Sequence, residues 1–187
     1  RSDLVQLDDP GDMLITELVG NRILNEGLLE TTLDCRRRLL RPDAALLPGA
    51  LEILVRLVHA ERFDPVRQEL SNLGRRYGVE LDVMESWLDA RLAGGELIWE
   101  QAPGDDAFTS LTQDEVVIRL DFATMRKAEF EEEITLIPGA SGVANGALLS
   151  FRLELQPGVV ISNSQDNHGL HWSRPVHMLP EPLPCRA

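Results

Sequence analysis

One strand pattern and one helix pattern open the chain, and a parallel sheet cannot be made from that pair alone. Residues 12 to 16, Asp12-Met13-Leu14-Ile15-Thr16, form a short apolar run bounded by Pro10-Gly11 before and Gly20 after, which predicts a buried strand. From Glu26 the period changes. Leu29, Leu33 and Leu40 recur at helical spacing, flanked by Leu28, Cys35 and Leu39, while Arg36, Arg37, Arg38 and Arg41 fill the other positions. The pattern predicts an amphipathic helix of about four turns, basic toward the end where the macrodipole favours cations, and terminated by Pro42. Because one strand and one helix need neighbours, the chain is expected to lack the N-terminal half of the domain they close.

Beyond Pro48-Gly49 the pattern is different. Residues 50 to 60 read as a long strand, and residues 62 to 93 as a helical excursion opened by Pro65 and interrupted at Tyr77-Gly78. Val83, Trp87, Leu88 and Leu92 give it an apolar stripe. Gly94-Gly95 and Pro103-Gly104-Asp105-Asp106 are loop signals around a short run, Glu96 to Gln101. From Val116 the period is two. Val116, Ile118 and Leu120 alternate with Val117, Arg119 and Asp121; Phe130, Ile134 and Leu136 oppose Glu131, Glu133 and Thr135; Leu149, Phe151, Leu153 and Leu155 oppose Leu148, Ser150, Arg152 and Glu154. Further strands are expected at Val159 to Ile161, after Pro157-Gly158, and at Pro175 to Leu179. Close-spaced strands with Gly and Pro turns predict an antiparallel sandwich or barrel. The fold class is therefore α/β plus all-β. Residues 1–42 close a parallel α/β domain, and residues 43–187 form an antiparallel β domain with a helical insertion over 62–105.

Composition narrows the partners. Formal net charge is −13, from 31 acidic and 18 basic side chains, which disfavours nucleic acid and anionic membranes and attracts a basic peptide or cationic small molecule; solubility alone also accounts for the excess. No apolar run approaches the roughly 18–20 residues of a transmembrane helix, and the first residues lack the basic-then-apolar layout of a secretory signal. Cys35 and Cys185 form neither a disulfide framework nor a zinc pattern. Cys35 lies on the apolar side of the helix and reads as a buried thiol, and the expected setting is a reducing, cytoplasmic one.

The chemistry concentrates on two carboxylates. Glu17 falls at the carboxyl end of the predicted strand, where open α/β sheets place their ligand crevice. Glu26 follows nine residues later, at the start of the helix. A guanidinium presents a planar fork of N–H donors and stays charged, so a site for it wants carboxylates that accept bidentate hydrogen bonds. Spacing alone also permits Glu26 to be a helix-start residue complementing the dipole. A divalent metal is disfavoured, because no aspartate or histidine cluster completes an oxygen-rich shell. The arginine cluster at 36–41 can bind phosphate or be a solvated helix end.

The stretch from Asp12 to Leu29 resembles the double-glutamate loop of the protein arginine methyltransferases. Leu39-Leu40-Arg41-Pro42-Asp43-Ala44-Ala45-Leu46-Leu47-Pro48 resembles the segment joining that family's catalytic domain to its β-barrel. Tyr77-Gly78-Val79-Glu80-Leu81 resembles an element near its dimerisation arm. Ser162-Asn163-Ser164 followed by His168-Gly169-Leu170-His171-Trp172-Ser173-Arg174-Pro175-Val176 resembles its Thr-His-Trp loop, with leucine in place of threonine. The resemblance implies a Rossmann-like domain end followed by a β-barrel carrying a dimerisation arm. It implies S-adenosyl-L-methionine as cofactor, an arginine-containing protein or peptide as substrate, and a homodimer.

By the same resemblance Glu17 and Glu26 are the catalytic clamp on the guanidinium, while His171 and Trp172 form the opposite, substrate-binding wall. Without it, His171-Trp172 reads most simply as a buried aromatic pair in a turn. Asn21 and Asn25 stand where asymmetric-dimethylating members carry aromatics, and Asn25-Glu26-Gly27-Leu28-Leu29 looks closer to the monomethylating and symmetric branches. The family's glycine-rich cofactor loop has no counterpart in the chain, so isolated residues 1–187 are expected to be inactive. A noncatalytic binding module and a methyltransferase acting on a free guanidino metabolite are the competing readings.

Overall fold

The computed structural model describes residues 4–95, 97–101, 108–164 and 170–187. The first strand forms where its apolar run predicts, but it is not the buried strand expected: Met13 and Ile15 are exposed and Leu14 is half-buried. β1 (Gly11–Ile15) leads through a loop into α1 (Leu28–Arg38), and the chain returns in β2 (Leu40–Leu47), which pairs with β1 in parallel. Leu14 stands opposite Leu46 and Ile15 opposite Leu47. The Thr16 N–H donates to the Leu47 carbonyl at 2.9 Å, carrying the ladder one residue past the strand.

α1 begins behind Gly27, whose φ of 74° is left-handed, and it buries Leu28, Leu29, Thr32 and Cys35. It ends at Arg38 with Leu39 as cap, so its 11 residues make three turns rather than the four expected. The helix stops because the chain becomes extended at Leu40, ahead of Pro42. Pro42 lies inside β2, in the register shift between the Gly11–Leu40 and Met13–Ala45 pairs. A residue without an N–H is tolerated at such an irregularity.

The remaining strands are β3 (Ala50–His59), β4 (Ile98–Gln101), β5 (Thr109–Ser110), β6 (Glu115–Asp121), β7 (Gly142–Gln156), β8 (Val159–Ser162) and β9 (Arg174–Cys185). They form a sheet in the order β4-β9-β7-β3-β5, with β6 paired to β3 and β8 to β7. The α/β plus antiparallel all-β class is thus borne out. Two details are corrected. Among the described residues the sheet does not close into a barrel; its order ends on two short strands, β4 and β5. The strand expected over 130–136 does not form. Phe130, Ile134 and Leu136 are half-buried and Glu131, Glu133 and Thr135 exposed, so the alternation is right, but no partner strand supplies a ladder.

The chain comprises two compact units, Arg1–Leu54 with Val116–Ile134 and Ser150–Ser173, and Val55–Glu115 with Thr135–Leu149 and Arg174–Ala187. β3 and β7 run through both. In the first unit the buried side chains include Val19, Ile23, Leu28, Leu29, Leu51, Leu54, Phe122 and Phe151. Gly49 is pinned there, its N–H donating to the Glu154 carbonyl at 2.8 Å while its carbonyl accepts from Phe122 N–H at 2.9 Å.

The second unit holds the helical insertion. α2 (Asp64–Tyr77) has Pro65 in its first turn and ends at Gly78, with φ 64°; α3 (Asp82–Ala93) follows. Leu88 and Leu92 of α3 pack in a core with Val58, Phe63, Leu148, Val176 and Met178. Val83 and Trp87 are exposed. The apolar stripe read from sequence therefore splits into an inward and an outward half. The loop signal at 103–106 lies outside the described residues.

Candidate functional site

The site is built in the first unit, from the loop between β1 and α1. Glu17 stands two residues past the end of β1, at the carboxyl end of a parallel strand, as its position in the sequence predicts. The loop then makes a tight turn in which Ile23 N–H donates to the Gly20 carbonyl at 2.9 Å and Leu24 N–H to that of Arg22 at 2.8 Å. Ile23 holds φ 65° with its side chain buried. A β-branched residue rarely adopts that conformation, and burial of the side chain offsets the strain.

Gly20 is the floor under the second glutamate. A Cβ there would lie 2.2 Å from Asn25 Oδ1 and 2.7 Å from Glu26 Oε1. The Glu26 side chain thus folds back over the turn from its place just ahead of the Gly27 cap. Glu17 and Glu26 are both exposed, and neither carboxylate has a hydrogen bond or ion pair among the described residues.

The same loop is tied to the segment carrying His171 and Trp172. Ser173 N–H donates to Asn21 Oδ1 at 3.0 Å, across 152 residues of sequence. Asn163, buried, holds that segment to β7: its Oδ1 accepts from Phe151 N–H at 2.7 Å and its Nδ2 donates to the Ser173 carbonyl at 3.1 Å. Trp172 is half-buried and meets the buried Phe151 edge-on, at 5.6 Å between centroids and 78° between planes. His171 is exposed and tilts against Trp172 at 4.4 Å.

The glutamate loop and the His–Trp segment are therefore joined through Asn21, with Asn163 supporting them from behind. The sequence reading missed both asparagines as supports. Asparagine is ordinary in loops, and nothing in its local context names a partner so far along the chain.

Other titratable groups fall elsewhere. Arg38 donates to both oxygens of Asp34, at 2.7 and 2.5 Å, and holds its carboxyl below the ordinary value. Burial pushes the Cys35 thiol up, and the Asp34 charge adds to the effect. A buried, protonated thiol is a packing group rather than a nucleophile. Cys35 and Cys185 are both free and buried. His59 and His177 bond the Val143 and Gly95 carbonyls, each at 3.0 Å. His168 lies outside the described residues. Among the described residues no group of three or more His, Cys, Asp or Glu could hold a metal ion, and no helix is long and apolar enough to cross a membrane.

No protein-family model matches the chain. It is 26% identical over 181 residues to the arginine N(omega)-methyltransferase of Streptomyces achromogenes subsp. streptozoticus, covering 97% of this chain and 47% of that protein. It is 27% identical over 132 residues to the "Probable protein arginine N-methyltransferase 6" of Arabidopsis thaliana, covering 70% of this chain and 29% of that one. Among solved structures, the PRMT1 enzyme-prozyme heterotetrameric complex with AdoHcy from Trypanosoma brucei matches with a TM-score of 0.79 at 20% identity, over 99% of this chain and 57% of that chain. The chain has that fold and is similar in sequence to arginine methyltransferases, as the paired loops imply. It spans about half the length of the first curated relative.

Proposed function

We propose that this chain supplies the guanidinium clamp of an S-adenosyl-L-methionine-dependent arginine N-methyltransferase, with Glu17 and Glu26 as the clamp and His171 and Trp172 as the facing wall. The observation that carries the reading is the bond from Ser173 N–H to Asn21 Oδ1, which ties the loop holding two uncompensated carboxylates to the aromatic pair. Two exposed carboxylates without cationic partners suit a guanidinium fork. The adjoining Trp172 offers an indole, and an indole face attracts a planar cation.

S-adenosyl-L-methionine, when bound, supplies an electrophilic methyl group. The glutamates hold the guanidinium in a single orientation and draw its positive charge toward the two nitrogens they bond. The remaining nitrogen is left more nucleophilic for in-line attack. The nitrogen that takes the methyl group would lose its proton to solvent, to which both carboxylates are open, and the cofactor would leave as its neutral thioether.

The test is methyl transfer from labelled S-adenosyl-L-methionine by the full-length protein to arginine-rich peptides. Glu17→Gln and Glu26→Gln should each lower kcat/KM by about 10²-fold or more, with melting temperature nearly unchanged because neither side chain is packed. Activity that survives both substitutions sinks the clamp. Absence of transfer in the unsubstituted protein favours a noncatalytic assembly module.

A second acceptor is favoured by one observation. The relative that matches 97% of this chain is named for arginine rather than for protein arginine. We therefore set free arginine beside peptides as the substrate, and a panel containing both decides between them. The exposed faces of α2 and α3 are read as the arm of a homodimer, and two free cysteines suit the reducing cytoplasm or nucleus.

A further inference from the structure

The arginine cluster behind α1 is not absorbed by methyl transfer. Within the first unit, a cavity of about 410 Å³ is lined by Leu33, Leu40, Pro42, Leu46 and Met125 together with four arginines, Arg36, Arg37, Arg41 and Arg126. That volume falls within the about 300–1,000 Å³ range of small-molecule pockets. No carboxylate is among its lining residues, in a chain whose net charge is −13.

The helix dipole explains only part of this cluster. Arg36, Arg37 and Arg38 in the last turn of α1 complement its carbonyl end, and Arg36, Arg38 and the β2 residue Arg41 each have a partner within the protein. Arg38, outside the cavity, is paired with Asp34. Arg36 donates to the carbonyls of Met125, at 2.9 Å, and Ala123, and so fastens the segment after β6 to the helix. Arg41 is paired with Asp12 on the surface.

Arg37 and Arg126 remain. Arg37 contributes through space to lowering the Asp34 pKa, yet neither arginine has a hydrogen bond or ion pair among the described residues. Arg126 belongs to the segment after β6, so the dipole of α1 gives no reason for its presence. Two exposed guanidiniums from two segments, hydrogen-bonded to no described residue, line one cavity and suit an anion, and the apolar remainder of the lining suits a carbon skeleton attached to it.

We propose that this cavity binds a small organic phosphate, with Arg37 and Arg126 as the two forks on the phosphoryl oxygens and the Leu33, Leu46 and Met125 side chains against the organic body. Arg36 is a positioning residue, which sets Arg126 by holding the 123–125 backbone. The site lies on residues that neither glutamate loop nor His–Trp segment uses, so binding is independent of the methyl-transfer reading.

The experiment is calorimetric titration of the full-length protein with phenyl phosphate, inorganic phosphate and phenol. Phenyl phosphate is expected to saturate one site per chain, more tightly than inorganic phosphate, and to weaken as salt rises; phenol should not bind. The Arg37→Ala/Arg126→Ala double variant should weaken phenyl phosphate by about tenfold per arginine. The Arg37→Lys/Arg126→Lys variant should retain part of the affinity, since lysine keeps the charge but not the fork. Neither pair disturbs a described contact, so circular dichroism should match the parent. Absence of saturable phenyl phosphate binding overturns the proposal, and so does unchanged affinity in the alanine variant or equal binding of phenol. Loss of methyl transfer in Glu17→Gln with phenyl phosphate binding intact separates the two sites.

Discussion

At Gly20 a hydrogen in place of a side chain is what lets Glu26 lie across the turn. The two atoms that a methyl group there would meet first, Asn25 Oδ1 and Glu26 Oε1, are ends of flexible, exposed side chains. Gly20→Ala should accordingly cost little stability, within about 0.5 kcal/mol, while forcing Glu26 to move. A displacement of about an ångström at a positioning group can cost about 10²-fold in rate. Methyl transfer should fall by that order with melting temperature nearly constant. A variant that melts earlier but keeps its rate shows Gly20 to be structural only. From sequence, Gly20 is legible as a strand terminator, and Glu17 as a strand-end acid, because both follow from a local apolar run. That Glu26 folds back over Gly20 is not legible, since nine-residue spacing between acids encodes no loop conformation, and neither is the left-handed Ile23.

Among the described residues, the segment bearing Trp172 is hydrogen-bonded to β7 through the buried Asn163 side chain rather than through a ladder. Asn163 gives an acceptor to Phe151 N–H and a donor to the Ser173 carbonyl, and is itself 4% exposed. Asn163→Ala leaves both backbone groups without those partners, at about 1–3 kcal/mol for a buried group left unsatisfied. Denaturant unfolding should register that loss, and Asn163→Asp should cost at least as much, since it keeps the acceptor but sets a buried carboxylate against the Ser173 carbonyl. In a background whose other tryptophans, Trp87 and Trp99 among them, are replaced by phenylalanine, Trp172 emission should shift red in the alanine variant as its packing on Phe151 loosens. Unfolding midpoints equal to the parent's, with unshifted emission, contradict the role. The strands themselves are readable from period-two alternation wherever a neighbour exists to complete the ladder. Alternation reports which face is buried, not whether a partner strand is present. This is why residues 130–136 keep the pattern without becoming a strand. Pro42 misleads for a related reason, because a proline that stops a helix also fits a register shift in a strand.

For the whole molecule, the second unit presents apolar side chains that its own core leaves uncovered. Leu88 and Leu92 take α3 inward, while Val83, Met84 and Trp87 are 84%, 50% and 56% exposed, and Leu73, Tyr77 and Val79 near the end of α2 are 45%, 65% and 53% exposed. Sequence periodicity marks the stripe but does not divide it, because both halves of α3 carry large apolar residues. Arg91 lies 5.3 Å above the Trp87 ring and Arg76 lies 5.6 Å from that of Tyr77. Trp, Tyr and Arg are the residues that dominate association energies when a partner covers them. The proposed homodimer would seat a second copy on this face, burying in total on the order of 1,600 Å² for an interface of ordinary size. Light scattering of the full-length protein should then give twice the chain mass. Val83→Glu/Trp87→Ala should bring it to one chain mass, with circular dichroism unchanged because both side chains point away from the core of the second unit. A parent that is monomeric across the micromolar range, or a double variant that stays dimeric, removes α3 from the interface.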